Sequence, residues 1–407
     1  MAYDDSDEEE FSAEEQPLKI EVTLDHTVYF VGQKISGTVH VRNEHKRRMR
    51  GIRLSVRCKA QVDWIEGKDK NETKQINNLD LLYIEKYVTG EGKTTYLEPG
   101  SHTLPFSVEL IPRGKIVLPS SLEFPNGFVR YYLKADLDWP WAAAQEHEIL
   151  FPVIDVVNLR ELSSSLQPAT FCEVYRVGFP RKKIHIAGRM EKIGYVPGEE
   201  ILLYMEISNN SGTRINRTFA QLRQIVTYTS AAGKTLQTRQ VLESNEYGAV
   251  APLSELVLEK QALHIPAIPQ SAKHHVGIMM VDYEVALVAE TSTGNLEAAK
   301  KIMIGTLPTK SSYGRFKTGV ALDPKACSWP FGHIDNLPYP KICSPPPNPD
   351  INYEVIEKIQ TGYRTQYVCF EFDHARALQL FDADSDDEGD EGFDEEEGDD
   401  KVSEFSF

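Results

Sequence analysis

Two Gly-Lys-Thr triplets are the first residues in this 407-residue chain whose types and spacing could do chemistry. TGEGKTT, Thr89 to Thr95, has the ending of a phosphate-binding loop. Such a loop needs a glycine five positions before Gly92, and Tyr87 stands there. It must also open a helix whose N-terminus faces the phosphate, whereas the strand-and-turn pattern YLEPGSHTLPF follows. Gly233-Lys234-Thr235 sits between strand-like segments, so both triplets read as hairpin turns. His274-His275 is the paired imidazole, with no cysteine or carboxylate at ligand spacing. No Gly-x-Ser-x-Gly elbow occurs, and no paired carboxylates stand out from the acidic ends. No catalytic residue, metal site or cofactor is therefore expected, and the chemistry that remains is binding.

The sharpest binding candidate is a basic run, Lys46, Arg47, Arg48 and Arg50, continued by Arg53, Arg57 and Lys59. Cations gathered on one face of a sheet suit phosphate or carboxylate groups, as on a phosphopeptide or an anionic phospholipid. The same charges also serve simply to keep a strand edge from pairing with other chains. Arg181, Lys182 and Lys183 form a second, smaller cluster. Nucleic acid is not among the expected partners. Ser385, in DADSDDEGDE, suits an acidophilic kinase, and phosphate there would add roughly 1.5–2 negative charges. The expectation is that this acidic tail folds back on the basic faces, or else only solubilises the chain.

The net charge of -17 depends on where it sits. Residues 1–15 hold eight carboxylates and no Lys or Arg, and residues 382–404 hold fourteen with one Lys, Lys401. The rest is a mildly basic body of 39 acids and 43 bases. Acidic runs of this kind bury too little apolar surface to fold, so both ends are expected to be disordered. MAYDDSDEEE is the opposite of a secretory leader, and five scattered cysteines without a CxxC read as reduced intracellular thiols.

The elements that must carry the cations are strands. Ile52, Leu54, Val56, Cys58, Ala60, Val62 and Trp64 alternate with Arg53, Ser55, Arg57, Lys59, Gln61 and Asp63. That is one strand with a buried and a wet face, and Trp64 belongs to the expected core. Leu18 to Leu24 and Val129 to Trp139 alternate in the same way, between Gly and Pro turns. The chain also repeats itself. YFVGQKISGTVHVRN, Tyr29 to Asn43, is echoed by YVPGEEILLYMEISN, Tyr195 to Asn209. VRYYLKADL, Val129 to Leu137, is echoed by VDYEVALVA, Val281 to Ala289. Two echoes in the same order predict a duplicated all-β domain.

These residues resemble the α-arrestins, the arrestin domain-containing proteins. The resemblance rests on the repeated segments, on RGIRLSVRCKAQVDW (Arg50 to Trp64) and PGSHTLPFSVELIP (Pro99 to Pro112), and above all on LPSSLEFPNGFVRYYLKADLDWPW (Leu118 to Trp141). LHIPAIPQS (Leu263 to Ser271) and IGTLP (Ile304 to Pro308) extend it to most of residues 17–308. It implies two tandem arrestin-type, immunoglobulin-like β-sandwiches, at 17–155 and 172–308, joined by a linker at 156–171. A Pro- and Tyr-containing tail, 309–381, follows, and disordered acidic segments at 1–16 and 382–407 flank the whole. It also implies a non-catalytic cytoplasmic adaptor, peripheral to the plasma membrane and endosomes. Such an adaptor binds cytoplasmic parts of membrane receptors or transporters and promotes their endocytosis, sorting or ubiquitin-dependent transport.

In that family a WW-domain ubiquitin ligase docks on Pro-Pro-x-Tyr motifs in the tail. Here Pro345, Pro346 and Pro347 are separated from Tyr353 by too many residues, and no complete motif exists, so weak or absent WW binding is expected. The thioredoxin-binding branch has a cysteine seven residues before the Val-x-Tyr tyrosine, and Val276 stands there, which does not support a thioredoxin partner. Two other readings are an arrestin-fold coat or scaffold subunit of an endosomal sorting complex and an acidic-tailed histone-type chaperone.

Overall fold

The computed structural model describes residues 18–67, 71–111, 117–139, 145–271 and 277–386, with side chains to residue 380. His274-His275, Val276, residues 1–16 and the acidic run beyond residue 386 lie outside the described residues.

The first sandwich uses β1 (Lys19–Leu24), β2 (Tyr29–Phe30), β3 (Lys34–Asn43), β4 (Arg47–Met49), β5 (Gly51–Glu66) and β6 (Thr73–Thr89). It continues with β7 (Thr95–Leu97), β8 (Gly100–Glu109), β9 (Leu122–Phe124), β10 (Gly127–Asp138), β11 (Glu146–Phe151) and β12 (Val153–Ile154). One sheet runs β1-β3-β8, and the facing sheet runs β11-β10-β5-β6 with β9 on β10. β5 meets its expectation: Ile52, Leu54, Val56, Cys58, Ala60 and Val62 are each no more than 1% exposed. β10 does not simply alternate. Arg130, Tyr132, Asp136 and Asp138 on its second face are buried as well, under ion pairs and the C-terminal segment. The Gly92 and Gly233 triplets are turns: Lys93 N–H donates to Gly90 O, and Gly233 N–H to Ser230 O.

The second sandwich uses β13 (Ala169–Val177), β14 (Lys182–Met190), β15 (Gly194–Tyr195), β16 (Glu200–Asn209) and β17 (Ile215–Thr229). Its remaining strands are β18 (Thr235–Val250), β19 (Ser254–His264), β20 (Met279–Thr291) and β21 (Gly294–Ile304). They pair as β13-β14-β16-β19 and β15-β21-β20-β17-β18.

The duplication extends to buried polar anchors. Tyr131 and Tyr283, the tyrosines of the two Val-x-Tyr echoes, are fully buried and donate to Pro119 O and Pro269 O, each at 2.7 Å. Asn43 and Asn209, which end the longer echoes, use their side-chain amides to satisfy carbonyls of neighbouring loops. A buried hydroxyl or amide is tolerated only with such partners, so these positions demand Tyr and Asn rather than an apolar residue of similar size.

Between the sandwiches, within the expected linker, Leu159–Glu161 and Ser163–Leu166 form short 3-10 turns. The domains also touch directly. Ala231 N–H donates to Ile76 O, Lys234 pairs with Glu66 at 2.6 Å, and Trp64 meets Tyr228 with ring centroids 6.5 Å apart. Trp64 thus lies where the first core runs into the second sandwich. Trp64→Ala should destabilise the full chain by about 3–5 kcal/mol in urea unfolding. A value near zero would mean that this contact contributes nothing.

After Leu307 the chain turns back over both sandwiches. The returning segment holds a 3-10 turn (Lys310–Arg315), β22 (Lys341–Cys343), α1 (Tyr353–Glu357), β23 (Tyr367–Cys369) and α2 (His374–Asp386). Phe316, Cys327, Trp329, Leu337, Val368 and Phe370 form a third apolar core with Phe30 and Ile154 of the first sandwich and Val196 of the second. Acidic residues from Asp382 on were expected to be disordered, but α2 runs to Asp386 and takes in the Ser385 position. Its earlier turns hold it: Asp373 accepts from Arg376 N–H, and Ala377 is fully buried.

Candidate functional site

Strand register sets the surroundings of each cation in the basic run. β10 lies antiparallel to β5 with Asp136 opposite Arg53, and β11 brings Glu148 alongside β10. Arg53 pairs with Asp136 at 2.8 Å and reaches Glu85 of β6 at 3.9 Å. Arg50 pairs with Asp138 at 2.6 Å, and Arg57 with Glu148 at 2.5 Å. Lys46 pairs with Glu98 at 2.7 Å and lies over the Tyr96 ring. Arg47 donates to Asn43 Oδ1 and stacks over Trp139.

The hydrogen bond to Asp136 raises the Arg53 pKa above its ordinary value. Burial pushes the Asp138 carboxyl up, but hydrogen bonds from Tyr87 and Arg50 outweigh it and hold the group below its usual range. The outer face of this sheet is therefore a ladder of satisfied ion pairs. Arg48 and Lys59 are exposed and have no carboxylate partner among the described residues. Opposite-charge pairs across strands stabilise a sheet and leave little free charge for a ligand. Glu at positions 50 and 53 would set like charges against buried Asp138 and Asp136, so reversal there would unfold the sheet rather than report binding.

The second basic cluster is built differently. β13 and β14 form a hairpin in which Val177 faces Lys182 and Arg176 faces Lys183. Gly178, at φ +74°, turns the chain, a conformation glycine adopts without steric cost. Phe179 stands at the tip, wholly exposed, followed by Pro180 and Arg181. Arg176, Arg181, Lys182 and Lys183 are all exposed, and no carboxylate pairs with them among the described residues. An exposed aromatic tip ringed by unpaired cations can enter the headgroup region of an anionic bilayer, the ring taking the apolar boundary and the cations the phosphates. The sequence signal was available: Phe-Pro in a turn between two strands, with three cations after it.

Of the tail motif residues, Pro345 and Tyr353 are packed into the fold, whereas Pro346 and Pro347 are exposed. Pro345 and Pro346 line a narrow cleft between the sandwiches with Gln224, Pro269, Tyr353 and Tyr367. Tyr353 opens α1, with Asn352 capping the helix, and the Arg364 guanidinium lies 4.2 Å from its ring centre. Ile356 and Tyr363 cover Tyr132 and Leu150 on the outer face of the first sandwich. Docking Tyr353 into a WW domain would require this packing to open. Nothing in the local sequence signalled it, because most of the partners lie far along the chain, as with Gln360 on Leu150 N–H, 210 residues apart. Among the described residues no group of three or more His, Cys, Asp or Glu could hold a metal ion, and no helix is long and apolar enough to cross a membrane.

Comparison with known proteins gives two family matches. Residues 18–160 match the model "Arrestin (or S-antigen), N-terminal domain", and residues 180–309 match "Arrestin (or S-antigen), C-terminal domain". The chain is 27% identical to arrestin domain-containing protein 17 of Caenorhabditis elegans over 305 residues, 70% of this chain and 68% of that protein. It is 28% identical to the thioredoxin-interacting proteins of Homo sapiens and Sus scrofa over 187 residues, 45% of this chain. That match spans about half the length of those relatives, 47% in each case.

Proposed function

This chain belongs to the arrestin family, and on that premise we propose that it is a non-catalytic adaptor working against a membrane surface. It binds cytoplasmic segments of receptors or transporters and promotes their internalisation or sorting. The observation that carries the membrane part is the hairpin of Phe179 and its unpaired neighbours Arg181, Lys182 and Lys183. Recruitment of a WW-domain ligase through Tyr353 is not part of the proposal, because Tyr353 and Pro345 are packed into the fold. Two of these relatives are named as thioredoxin-interacting. No observation on this chain favours that partner, since Val276 lies outside the described residues and is not a cysteine.

The full chain should co-sediment with vesicles containing phosphatidylserine and much less with phosphatidylcholine alone. Each surface cation is worth about 1 kcal/mol near an anionic leaflet, so Arg181→Glu, Lys182→Glu and Lys183→Glu together should lower partitioning by roughly a hundredfold or more. Phe179→Ser should weaken it with the charges intact. Unchanged sedimentation of both variants would remove the hairpin from the proposal. In cells, loss of the protein should raise the surface level of at least one receptor or transporter, read by surface biotinylation. An unaltered set of surface proteins would refute the adaptor role itself.

A further inference from the structure

Strands β22 and β23 form a two-stranded antiparallel ribbon that no further strand extends among the described residues. In its register Lys341 faces Cys369 and Cys343 faces Tyr367. Side chains alternate between faces, so Lys341, Cys343, Cys369 and Glu371 share one face. The right-handed twist is largest in two-stranded ribbons and makes the two diagonals of a strand pair unequal. The arrangement here shows which diagonal is closed, because Lys341 forms an ion pair with Glu371, two residues beyond its direct partner. Cys343 and Cys369 occupy the next diagonal of the same sense on the same face.

We propose that Cys343 and Cys369 are a reactive dithiol that a hydroperoxide converts to a disulfide, closing residues 343–369 into a ring. Both side chains are half-exposed, so a small oxidant reaches them. The neighbouring Cys369 thiol, helped by Lys341 and opposed by burial and Glu371, lowers the Cys343 pKa to about 7, while Cys369 Sγ itself donates to Phe370 O at 3.8 Å. A substantial thiolate fraction near neutral pH makes Cys343 the attacking group. Its sulfur attacks one peroxide oxygen, the O–O bond breaks, and hydrogen peroxide leaves one oxygen on sulfur as sulfenic acid and releases the other as water. The Cys369 sulfur then attacks the sulfenic sulfur, displaces its oxygen as a second water and forms the S–S bond. Two thiols give up two electrons and two hydrogens, and one peroxide takes them. The ring encloses Pro345 to Pro347, α1 with Tyr353, and Tyr363, the segment packed over β10 and the cleft between the sandwiches. Oxidation would therefore latch this segment in place.

The test uses the full chain treated with hydrogen peroxide, with remaining thiols alkylated before digestion. Trypsin would leave Cys343 in the peptide Ile342 to Lys358 and Cys369 in Thr365 to Arg376. The expected product is these two peptides joined, separable by dithiothreitol, and formed equally well when exposed Cys172 is replaced by Ser. Cys369→Ser should instead leave a Cys343 sulfenic acid that dimedone traps. In the oxidised protein, cleavage after Lys358 and Arg364 should slow about tenfold, since ring closure suppresses local opening. Oxidation of Cys343 no faster than Cys172, a mixed disulfide between two chains, or sulfinate without the joined peptides would each overturn the proposal.

Discussion

Replacing Glu199 with alanine is expected to destabilise the full chain by about 3–5 kcal/mol, the usual cost of leaving one partner of a buried ion pair alone. Glu199 is 1% exposed and Lys192 3%. The two form an ion pair, and the Lys192 ammonium also donates to Ser312 Oγ and lies over the Tyr195 ring. Glu199 in turn accepts from Ser312 Oγ at 2.7 Å and from Val196 N–H at 3.2 Å. Without the carboxylate, Lys192 would keep a buried charge with only neutral partners, and the Ser312 turn would lose its anchor on the second sandwich. The effect should be read as a fall in the urea midpoint with an unchanged slope. Glu199→Gln, which keeps one acceptor oxygen in place, should cost less. Alanine at Arg48 or Lys59 should change stability by no more than about 0.5 kcal/mol, because no carboxylate pairs with those cations among the described residues. A Glu199→Ala protein as stable as the parent would show that Lys192 gains water or sheds its proton without difficulty.

Gly198→Ala should release the returning segment. Gly198 has φ +90°, and a Cβ built on it would lie 1.8 Å from the carbonyl oxygen of Phe370. That oxygen belongs to backbone and cannot swing aside as a flexible side chain could. Phe370 N–H donates to Pro197 O at 2.9 Å, so the clash falls on the hydrogen bond that docks the end of β23. Displacing it would unpack Phe370 from Phe316, whose rings sit 5.0 Å apart, and open the third core. The expected readouts are at least tenfold faster tryptic cleavage after Lys341 and Arg364 and loss of hydrogen-exchange protection at Phe370. Gly32 is the control. It is the equivalent glycine of the first repeat, at φ +87°, but open space surrounds its missing Cβ. Gly32→Ala should cost about 1 kcal/mol from the backbone alone and leave the tail protected. Equal tail protection in both variants would mean that the close approach at Gly198 is relieved cheaply.

The two glycines show how far the repeat could be read. Tyr-x-x-Gly predicts a turn in both copies, and both copies have it. Only the folded chain shows that one glycine is wanted for its backbone angle while the other must also leave room for a segment from the far end of the protein. The same division runs through the basic cluster. Alternation along β5 placed Arg53 and Arg57 on the outward face, since side-chain direction in a strand is set by its immediate neighbours. Their partners, Asp136 and Glu148, lie 83 and 91 residues away. No local pattern distinguishes a cation awaiting a ligand from one already satisfied across a sheet.

The sequence by itself determined the all-β class, the duplicated sandwiches, the buried face of β5 and the family, because each is written in short-range periodicity or in motifs read along the chain. The tertiary structure alone decided which cations stay unpaired among the described residues, that Trp64 meets Tyr228 of the other sandwich, and that Pro345 and Tyr353 of the tail pack against the sandwiches. It also decided that Cys343 and Cys369 share a diagonal. Those outcomes depend on which distant strands become neighbours and in what register, and a slip of one residue would have sent every one of these side chains to the opposite face.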